Sequence, residues 1–368
     1  MKPIPFIDLS YQSNLIRDGV QKKWNKIIEN SSFVMGSYLE EFEDSFSKFS
    51  GIKNTIGVGN GGDAIEIGIR TLNLPKNSKI YIPVNTFIAT ATAARRAGYE
   101  VQFVDINEQS GLIDLNTLSS YKILTKDCVI PVHLFGFMVD VKAIKKSLNN
   151  NIKIIEDSSQ AHGATYDGSP PGSFSNLSTY SFYPGKNLGA FGDGGAITTN
   201  NLSTYNKAIL LRNYGISKKY NHDIIGFNSR LDPIQAVVLT EKLKFLQEWN
   251  LERKNNFELY FSLLKDVEQI EFLKSPNLSD SVYHLTVAKV TNRTELIKFL
   301  NKNDISTLIH YPIPLHKSKA FKNYKYKKGE FKNAELLSKK ILSLPNYPGI
   351  KNNQIEYICE KIRAFYKY

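Results

Sequence analysis

The sequence predicts a three-layer α/β fold in which helices cover both faces of a mostly parallel sheet. Seven short apolar runs, rich in β-branched residues, have the length of buried strands, and helical patterns such as 63–72 and 89–97 separate them. Alternation of this kind is typical of parallel strands joined by crossover helices. The predicted strands are residues 54–58, 79–84, 101–105, 128–133, 152–157, 179–183 and 195–199.

The last third of the chain has a different character. A long helix is predicted at 232–250, because Asp232 is a good N-cap and Pro233 is a favourable first helical residue. After Trp249 polar helices dominate and strands become rarer. We therefore predict a large domain that includes an N-terminal arm, followed by a smaller α+β domain. The predicted domains are residues 1–250 and 251–368.

Composition excludes several classes of protein. The 368 residues carry 47 Lys plus Arg and 35 Asp plus Glu, a formal net charge of +12. A hydrophobic content of 42%, with 21 Phe and 20 Tyr, excludes a disordered chain. Two distant cysteines, Cys128 and Cys359, exclude a disulfide scaffold, provide no metal-ligand spacing and fit a reducing compartment. Because we find neither a membrane span nor a secretory signal core, we expect a cytoplasmic protein with no membrane partner. We also expect no metal.

The positive charge raises the possibility of a nucleic-acid partner. Residues 317–332 carry seven lysines interleaved with Phe321, Tyr324, Tyr326 and Phe331, which is one way to build a surface for single-stranded nucleic acid. Most of the excess charge, however, is lysine scattered through the chain, and no nucleic-acid-binding motif is present. We therefore interpret the segment as a solvated loop whose aromatic side chains pack inward, and expect no nucleic-acid partner.

Residues 57–64, Gly-Val-Gly-Asn-Gly-Gly-Asp-Ala, connect the first predicted strand to a helix. Glycines let backbone N–H groups approach an anion closely, and a helix N-terminus adds the positive end of its dipole. The segment lacks the Lys-Ser/Thr of a Walker loop and the glycine spacing of a dinucleotide site. It is a candidate phosphate site, and a tight strand-to-helix turn explains it equally well.

Asp157 ends the strand predicted at 152–157. A carboxylate at the end of a buried strand needs a cationic partner or several hydrogen bonds, because burial of an unpaired charge is costly. A helix N-cap is the structural alternative. His162, a few residues later, is more typical of a core histidine than of a catalyst.

Lys186 lies in a turn that Pro184 and Gly185 force after the strand predicted at 179–183, and a glycine-rich segment follows it. A lysine that is desolvated in such a loop has a lowered pKa and can form a Schiff base. The alternative is an ordinary surface lysine on a turn.

Residues 226–232 precede the long predicted helix. Asn228 and Arg230 are suited to binding phosphate or carboxylate, and a capping loop is the alternative. Each of the four patterns is weak alone. Together they provide a phosphate cradle, a strand-end acid, a lysine nucleophile and extra donors, which is the set that a phosphate-bearing pyridine cofactor requires.

The same residues resemble the DegT/DnrJ/EryC1/StrS family of pyridoxal-phosphate sugar aminotransferases, and the resemblance extends almost from end to end. It implies the type I aminotransferase fold, with a large domain around a seven-stranded sheet, and pyridoxal 5'-phosphate as cofactor. The matching segments are residues 83–90, 156–163, 181–196, 212–215, 227–232 and 309–312.

The resemblance implies a role for each matching residue around the cofactor ring. Lys186 would hold the cofactor covalently, and Asp157 would pair with the pyridinium nitrogen. Gln160 would hydrogen-bond the phenolic oxygen, and Phe87 would stack on the face of the ring. Lys186 and Asp157 are thus the expected catalytic residues.

For the cofactor phosphate, the resemblance points to Gly62, Asp63 and Ser181, with Asn228 reaching across from a second subunit. The family usually has Thr at the position of Gly62. One hydroxyl donor is therefore missing here, and backbone N–H groups must carry more of the binding. The cross-subunit asparagine implies a homodimer with shared active sites.

Tyr183 bears on the choice of substrate, because the C4-aminating branch of the family usually has His at this position. The segment around it resembles the branch that aminates C3 of nucleotide-linked 3-keto-6-deoxy sugars. His310 and Tyr311 resemble the sugar-contacting pair of the family. Lys219 and Arg230 are candidates for binding the pyrophosphate of a nucleotide sugar.

The expected function is transfer of the amino group of L-glutamate to C3 of a dTDP-linked 3-keto-6-deoxyhexose. The product would be a 3-amino-3,6-dideoxyhexose for surface glycans of the O-antigen or lipopolysaccharide type. Three alternatives remain: a C4 aminotransferase, a pyridoxal-phosphate sugar dehydratase and a DNA-binding regulator. Relatives of the dehydratase kind replace the lysine with histidine, whereas Lys186 is present here.

Overall fold

The computed structural model describes residues 3–367. Its helices are α1 (Ser10–Glu29), α2 (Ser37–Ser50), α3 (Gly61–Thr71), α4 (Ile88–Arg96), α5 (Leu115–Ser120), α6 (Val141–Leu148), α7 (Leu202–Arg212), α8 (Pro233–Leu243), α9 (Leu246–Leu264), α10 (Arg293–Lys302), α11 (Lys332–Lys340) and α12 (Asn352–Tyr366). Its strands are β1 (Asn54–Val58), β2 (Lys79–Pro83), β3 (Glu100–Val104), β4 (Cys128–Val129), β5 (Lys153–Asp157), β6 (Thr165–Tyr166), β7 (Leu177–Ser181), β8 (Gly195–Thr199), β9 (Ile216–Lys218), β10 (Asn221–His222), β11 (Ile270–Phe272), β12 (Ser279–Asp280), β13 (Thr286–Val290) and β14 (Ile341–Leu344).

The central sheet has seven strands in the order β1-β8-β7-β5-β4-β2-β3. The strands from β7 to β3 pair in parallel, and β8 is antiparallel to both of its neighbours, β1 and β7. The predicted seven-stranded, mostly parallel sheet is confirmed. The carboxyl ends of β1, β5 and β7 meet at one edge of this sheet, which is where ligands bind in open α/β folds.

Helices cover both faces of the sheet. Adjacent residues of β8 point to opposite faces, as they do in any strand. Ala196 belongs to a hydrophobic cluster with residues of α2 and α8, whereas Ile197 belongs to the main cluster with residues of α3. The predicted three-layer arrangement follows from this division of the core.

Two predicted strands have different bounds in the structure. The run at 128–133 forms a ladder only over β4, because Pro131 has no amide hydrogen to donate, and Val132 keeps a single bridge to Asp157. The strand predicted at 179–183 is β7, which lies two residues earlier, because Tyr183 already belongs to the turn that carries Lys186.

The prediction of a single helix at 232–250 is wrong. The structure has two helices, α8 and α9, separated at Lys244 and Phe245. The amide of Phe245 bonds the carbonyl of Lys242, and its ring stacks on Trp249 at 5.6 Å. This turn brings Leu246 and Trp249 into the core, where both are fully buried. Burial of these two side chains therefore overrides the helix propensity of the segment.

The C-terminal part of the chain contains a second, antiparallel sheet of β11, β13 and β14. Its apolar face packs with α10 and α12. Ile4 belongs to the same cluster, and its amide bonds the carbonyl of Asp304 at 2.7 Å. The N-terminal arm thus lies against C-terminal residues. Residue 250 falls inside α9, and the division into domains 1–250 and 251–368 stays a prediction.

The lysine-rich segment 317–332 covers the edge strand β3. The hydroxyl of Tyr324 accepts hydrogen bonds from the amide of Phe103 at 3.0 Å and from the side chain of Gln102 at 2.8 Å. Phe321 and Phe331 also contact Phe103. The expected inward packing is confirmed for these three aromatic residues of the segment. None of the helices within residues 3–367 combines the length and apolar character needed to cross a membrane.

Candidate active site

The site is built where three elements meet at the carboxyl edge of the central sheet. A side chain on Gly61, the first residue of α3, would place its Cβ 2.6 Å from Cβ of Ser181 at the end of β7. A Cβ on Gly195 in β8 would lie 2.5 Å from the backbone of Asn60. Because neither position has room for a side chain, the N-terminus of α3 lies directly against the ends of β7 and β8.

The N-terminus of α3 points two backbone amides toward this edge. Asn60 caps the helix by accepting a hydrogen bond from the amide of Asp63 at 2.9 Å. Among residues 3–367, the structure gives the amides of Gly61 and Gly62 no acceptor. With the hydroxyl of Ser181 beside them, they form a cradle for an anion.

Both the backbone amide and the carboxylate of Asp63 have hydrogen-bond partners. Its amide serves the cap, and its carboxylate accepts from the hydroxyl of Ser229 at 2.8 Å and lies 3.3 Å from the guanidinium of Arg96. The hydroxyl of Ser229 in turn accepts from the amide of Gly59 at 3.1 Å. Asp63 thus fixes the loop that enters α3.

Lys186 lies in the turn predicted for it. Its amide bonds the carbonyl of Tyr183 at 2.8 Å, and Gly189 is required because a Cβ there would lie 2.2 Å from the carbonyl oxygen of Pro184. The side chain is half-buried. Burial lowers the pKa of Lys186 from 10.5 to about 8, an effect that the negative charge of Asp157 partly opposes. The amine is therefore substantially neutral near pH 8 and available as a base or nucleophile.

Asp157 is the buried carboxylate at the end of β5, with 4% exposure. Its Oδ2 accepts a hydrogen bond from the hydroxyl of Thr90 at 2.8 Å, and its Oδ1 accepts from the amide of Ser159 at 3.2 Å. Its charge also acts on Lys186 and Tyr311. The expected combination of hydrogen bonds and a cation is thus present around this buried charge.

Gln160 is held in one orientation. Its Oε1 accepts a hydrogen bond of 2.6 Å from the amide of Phe135, which leaves the Nε2 amide group as the end that faces the site. Nε2 lies 3.4 Å from the hydroxyl of Tyr311. The ring of Tyr311 is 6.1 Å from that of Phe87, whose side chain is 58% exposed. Gln160 therefore presents a donor, and Phe87 presents an open ring face.

His310 joins the site from the C-terminal part of the chain. Its Nδ1 lies 2.9 Å from the hydroxyl of Ser343, and its ring is 5.5 Å from that of Tyr311. Burial, followed by the positive charge of Lys186, lowers the pKa of His310 from 6.5 to about 4. His310 is therefore neutral at pH 7 and can serve a ligand as donor or acceptor, but not as a cation.

Four further predicted residues, Tyr183, Lys219, Asn228 and Arg230, lie in turns and loops outside the named strands, and the carbonyl of Tyr183 accepts from the amide of Lys186. Lys219 lies in the exposed hairpin of β9 and β10, with its ammonium 5.4 Å from the ring of Tyr220. Arg230 donates to the side chain of Asn213 at 2.8 Å, while Asn228 and Tyr183 are exposed. The structure thus brings together the residues expected at the ring and at the phosphate, apart from Asn228.

Sequence reasoning missed several residues of the site. Thr90 lies inside a segment that carried the family resemblance, and its spacing after Phe87 in α4 was the available signal. His133 bonds Glu156 at 2.7 Å, and its amide bonds the carbonyl of Asp157 at 2.9 Å. His162 is buried between Tyr180 and Phe182, as expected for a core histidine.

The profile of the DegT/DnrJ/EryC1/StrS aminotransferase family matches residues 14–363. The chain is 35% identical to a pleiotropic regulatory protein of Geobacillus stearothermophilus, with 99% of each chain covered. It is also 35% identical to the dTDP-3-amino-3,6-dideoxy-alpha-D-galactopyranose transaminase of Aneurinibacillus thermoaerophilus, with 98% of this chain and 99% of that protein covered. The crystal structure of S. venezuelae DesV in complex with a ketimine intermediate superposes with a TM-score of 0.96 at 32% identity, over 100% of both chains. The chain belongs to the DegT/DnrJ/EryC1/StrS aminotransferase family, which confirms the family, fold and enzyme class that the sequence predicted.

Proposed function

We propose that this aminotransferase moves the amino group of L-glutamate to C3 of a dTDP-linked 3-keto-6-deoxyhexose, with pyridoxal 5'-phosphate as cofactor. The observation that carries the proposal is Lys186, a half-buried lysine with a lowered pKa, close to the buried carboxylate of Asp157. The transaminase relative from Aneurinibacillus, which is named for a dTDP-linked 3-amino-3,6-dideoxy sugar, supports C3 as the position. The amino sugar would supply the synthesis of a surface glycan.

The residues at the site fit the cofactor. The amides of Gly61 and Gly62 and the hydroxyl of Ser181 would hold its phosphate, and the carboxylate of Asp157 would accept from its ring N–H. Nε2 of Gln160 would donate to its phenolic oxygen, because Oε1 is already bonded to Phe135. The open face of Phe87 would support the ring.

Asp63 would act indirectly in this arrangement. Its amide is used by the helix cap and its carboxylate by Ser229 and Arg96, so it supplies no free donor to a phosphate. We assign it the role of fixing the loop before Gly61 and Gly62.

When bound, the cofactor supplies an electron sink that weakens a C–H bond next to the substrate nitrogen. The protein contributes two matched groups. Asp157, held as an acceptor by Thr90 and Ser159, keeps a proton on the ring nitrogen. Lys186, with its pKa near 8, would remove the proton from the substrate carbon that is bonded to nitrogen and would return it on the cofactor side of that nitrogen. A general base works best when its pKa is close to the working pH.

Uncharged side chains would bind the sugar ring of the substrate, and cationic side chains would bind its pyrophosphate. We assign the sugar ring to Tyr183, His310 and Tyr311, and the pyrophosphate to Lys219 and Arg230. His310 is neutral at pH 7, so it would recognise a hydroxyl group rather than a phosphate. Lys219 lies in the exposed hairpin of β9 and β10 and Arg230 bonds Asn213, and we assign both cations to the site of a second subunit.

A homodimer with shared sites would complete this arrangement. Large apolar side chains are exposed near the loop that carries Asn228: Ile225 is 96% exposed and Tyr220 is 86% exposed. Such exposure is typical of surface that a partner covers. The buried, unpaired thiols of Cys128 and Cys359 fit a reducing compartment, and we place the enzyme in the cytoplasm.

The decisive experiment combines two measurements on the purified protein. When L-[15N]glutamate and the dTDP-linked 3-keto sugar are supplied, NMR of the product should show the label on C3. If the enzyme instead reacts only with a 4-keto sugar and the label appears on C4, the C4 alternative is correct. In Lys186→Ala we expect no turnover and an unchanged fold by circular dichroism. Undiminished transfer by that variant would contradict the assigned role of Lys186.

A DNA-binding regulator is the second candidate, supported by the net charge of +12 and by the Geobacillus relative, which is named a pleiotropic regulatory protein. Filter binding of duplex DNA across a salt series separates the two functions. Tight binding that weakens steeply with salt, together with no glutamate-dependent spectral change, would favour the regulator.

A further inference from the structure

A network of hydrogen bonds lies next to Lys186 on the side of the turn that faces the protein core. Its centre is Asn187, whose side chain is 1% exposed. Nδ2 of Asn187 donates to Oδ1 of Asn250 at 2.8 Å and to the carbonyl of Val282 at 3.1 Å, while its Oδ1 lies 2.8 Å from Nδ1 of His284. We call Asn187, Asn250 and His284 the lysine support.

The partners of Asn187 fix the position of each proton. The carbonyl of Val282 can only accept, so the amide nitrogen of Asn187 must face it. Oδ1 of Asn187 then faces His284, and because it too can only accept, the proton of His284 lies on Nδ1. Asn250 completes the network by donating to the carbonyl of His162 at 2.8 Å. Every polar end of the two asparagine side chains therefore has a partner.

The support carries no charge at neutral pH. Burial, followed by the positive charges of Lys186 and Arg253, lowers the pKa of His284 well below 6.5. His162 and His310 also feel the charge of Lys186, and burial is the larger cause that lowers the pKa of each, to about 3 and about 4. Three neutral imidazoles thus face Lys186 together with the anion Asp157. The low pKa of the lysine depends on keeping water away from it.

A cavity of about 350 Å³ lies on the far side of the support. Asn250 and Val282 line it, and both bond the side chain of Asn187. Lys254 and Asp280, a partly exposed ion pair at 3.0 Å, also line this cavity. The side chain of Asn187 therefore stands between a space open to solvent and the turn of Lys186.

We propose that Asn187 and His284 are positioning residues, which keep Lys186 desolvated and directed at its reaction partner. The inference rests on the proposed role of Lys186. Neither side chain is placed in contact with substrate, and both act through the turn that carries the lysine. Loss of the Asn187 side chain would leave a void between the turn and Asn250, which lines the cavity, and would let water approach the amine from that side.

The test measures the pKa of Lys186 directly. The full-length protein, freed of cofactor, is labelled with acetic anhydride at a series of pH values, and the Lys186 peptide is quantified by mass spectrometry. We expect an apparent pKa of about 8 in the wild type. In Asn187→Ala we expect a rise of about one unit, which lowers labelling at pH 8 by about fivefold. An unchanged pKa would overturn the proposal.

Two further variants keep the test decisive if Asn187→Ala does not fold. His284→Asn retains a donor near the position of Nδ1 and should keep the pKa of Lys186 near that of the wild type, whereas His284→Leu should raise it. Equal values in these two variants would contradict the proposal.

Asn256 provides the matched control. It is a buried asparagine whose Nδ2 donates to the side chain of Asn346 at 3.1 Å and lies 3.5 Å from the carbonyl of Tyr347, neither of which belongs to the support. Asn256→Ala should leave the pKa of Lys186 unchanged. A shift as large as that of Asn187→Ala would show that general loosening of the core, and not the support, sets the pKa.

A separate readout distinguishes failure of the inference from failure of the proposed function. The protein loaded with pyridoxal 5'-phosphate is reduced with borohydride, and the modified peptide is identified by mass spectrometry. Modification elsewhere than Lys186 would overturn the proposed function and this inference with it. Modification of Lys186, with a pKa that does not respond to Asn187→Ala or His284→Leu, would overturn the inference alone.

Discussion

The hydroxyl of Thr90 donates a hydrogen bond of 2.8 Å to Oδ2 of Asp157, and both residues are buried. Thr90→Val removes the donor without changing the shape of the side chain. We expect the free energy of unfolding to fall by about 1–3 kcal/mol, because a buried charged acceptor loses a partner. We also expect kcat to fall about tenfold, since the carboxylate loses the group that orients it. Urea denaturation and steady-state kinetics measure the two effects.

Thr92 is the control for this prediction. It lies on the same helix, α4, and its hydroxyl donates to the backbone carbonyls of Ile88 and Ala89 in the preceding turn. Thr92→Val should leave kcat unchanged, and Thr90→Ser should restore most of the lost rate. Normal kinetics in Thr90→Val would remove Thr90 from the site.

Tyr183 should affect the two substrates differently. Its ring is 61% exposed at the mouth of the turn that carries Lys186, and we assign its hydroxyl to the sugar. Tyr183→Phe should lower kcat/KM for the keto sugar about tenfold, the effect expected from loss of one hydrogen bond to a bound ligand. The reaction with L-glutamate alone, followed by absorption spectroscopy, should keep its rate. An equal loss in both reactions would mean that the tyrosine supports the site without recognising the sugar.

Lys242 gives a prediction about stability and pH. Its ammonium is buried, bonds the carbonyl of Gly189 at 2.7 Å, and burial lowers its pKa from 10.5 to about 8. Between pH 8 and 10.5 the unfolded chain therefore binds more protons here than the folded chain does, so the contribution of Lys242 to stability rises with pH across this window.

We expect the unfolding free energy of the wild type, minus that of Lys242→Met, to increase by on the order of 3 kcal/mol from pH 8 to pH 10.5. Guanidinium denaturation at several pH values measures this difference. Lys244→Met, at an exposed lysine two residues later, separates the effect of burial from the loss of one positive charge. A difference that stays constant with pH would show that the ammonium of Lys242 is not desolvated.

Ile225 should report on assembly. It is 96% exposed, three residues before Asn228, on the surface where we place the second subunit. Ile225→Arg should convert the dimer to monomers in sedimentation velocity and lower activity together with assembly, because a charge would be buried at the interface. Leu278→Arg places the same charge on an exposed leucine in a different loop, 56% exposed, and should leave assembly unchanged. A wild-type protein that is monomeric at all concentrations would contradict the shared-site proposal.

The sheet and the turn that carries Lys186 were predictable because their signals are local. Short apolar runs indicate buried strands, and parallel strands bring their carboxyl ends to one edge, so the acid that ends one strand and the turn that follows another could be assigned to one site. The turn at Lys186 was predictable from Pro184 and Gly185. These signals need no knowledge of distant contacts.

Other features depend on contacts between distant parts of the chain. The break between α8 and α9 follows from burial of Leu246 and Trp249, which no helix propensity encodes. Asp63 was expected at the phosphate, but its carboxylate bonds Ser229, which is 166 residues away. His284 and Asn187 are similarly 97 residues apart. Side chains that meet only in the folded core leave no pattern in the sequence.

The contact of Gly195 with Asn60 has a consequence for how the enzyme handles two unlike substrates. The segment that carries Lys186 runs directly into β8, and β8 touches the start of α3 with no space for even a methyl group. Lys186 and the amides of Gly61 and Gly62, which would hold the two ends of the cofactor, therefore belong to one rigid unit. Under the proposed function, both substrates would therefore react on a site whose backbone spacing stays fixed, and the side chain of Lys186 would supply the freedom of movement that the backbone lacks.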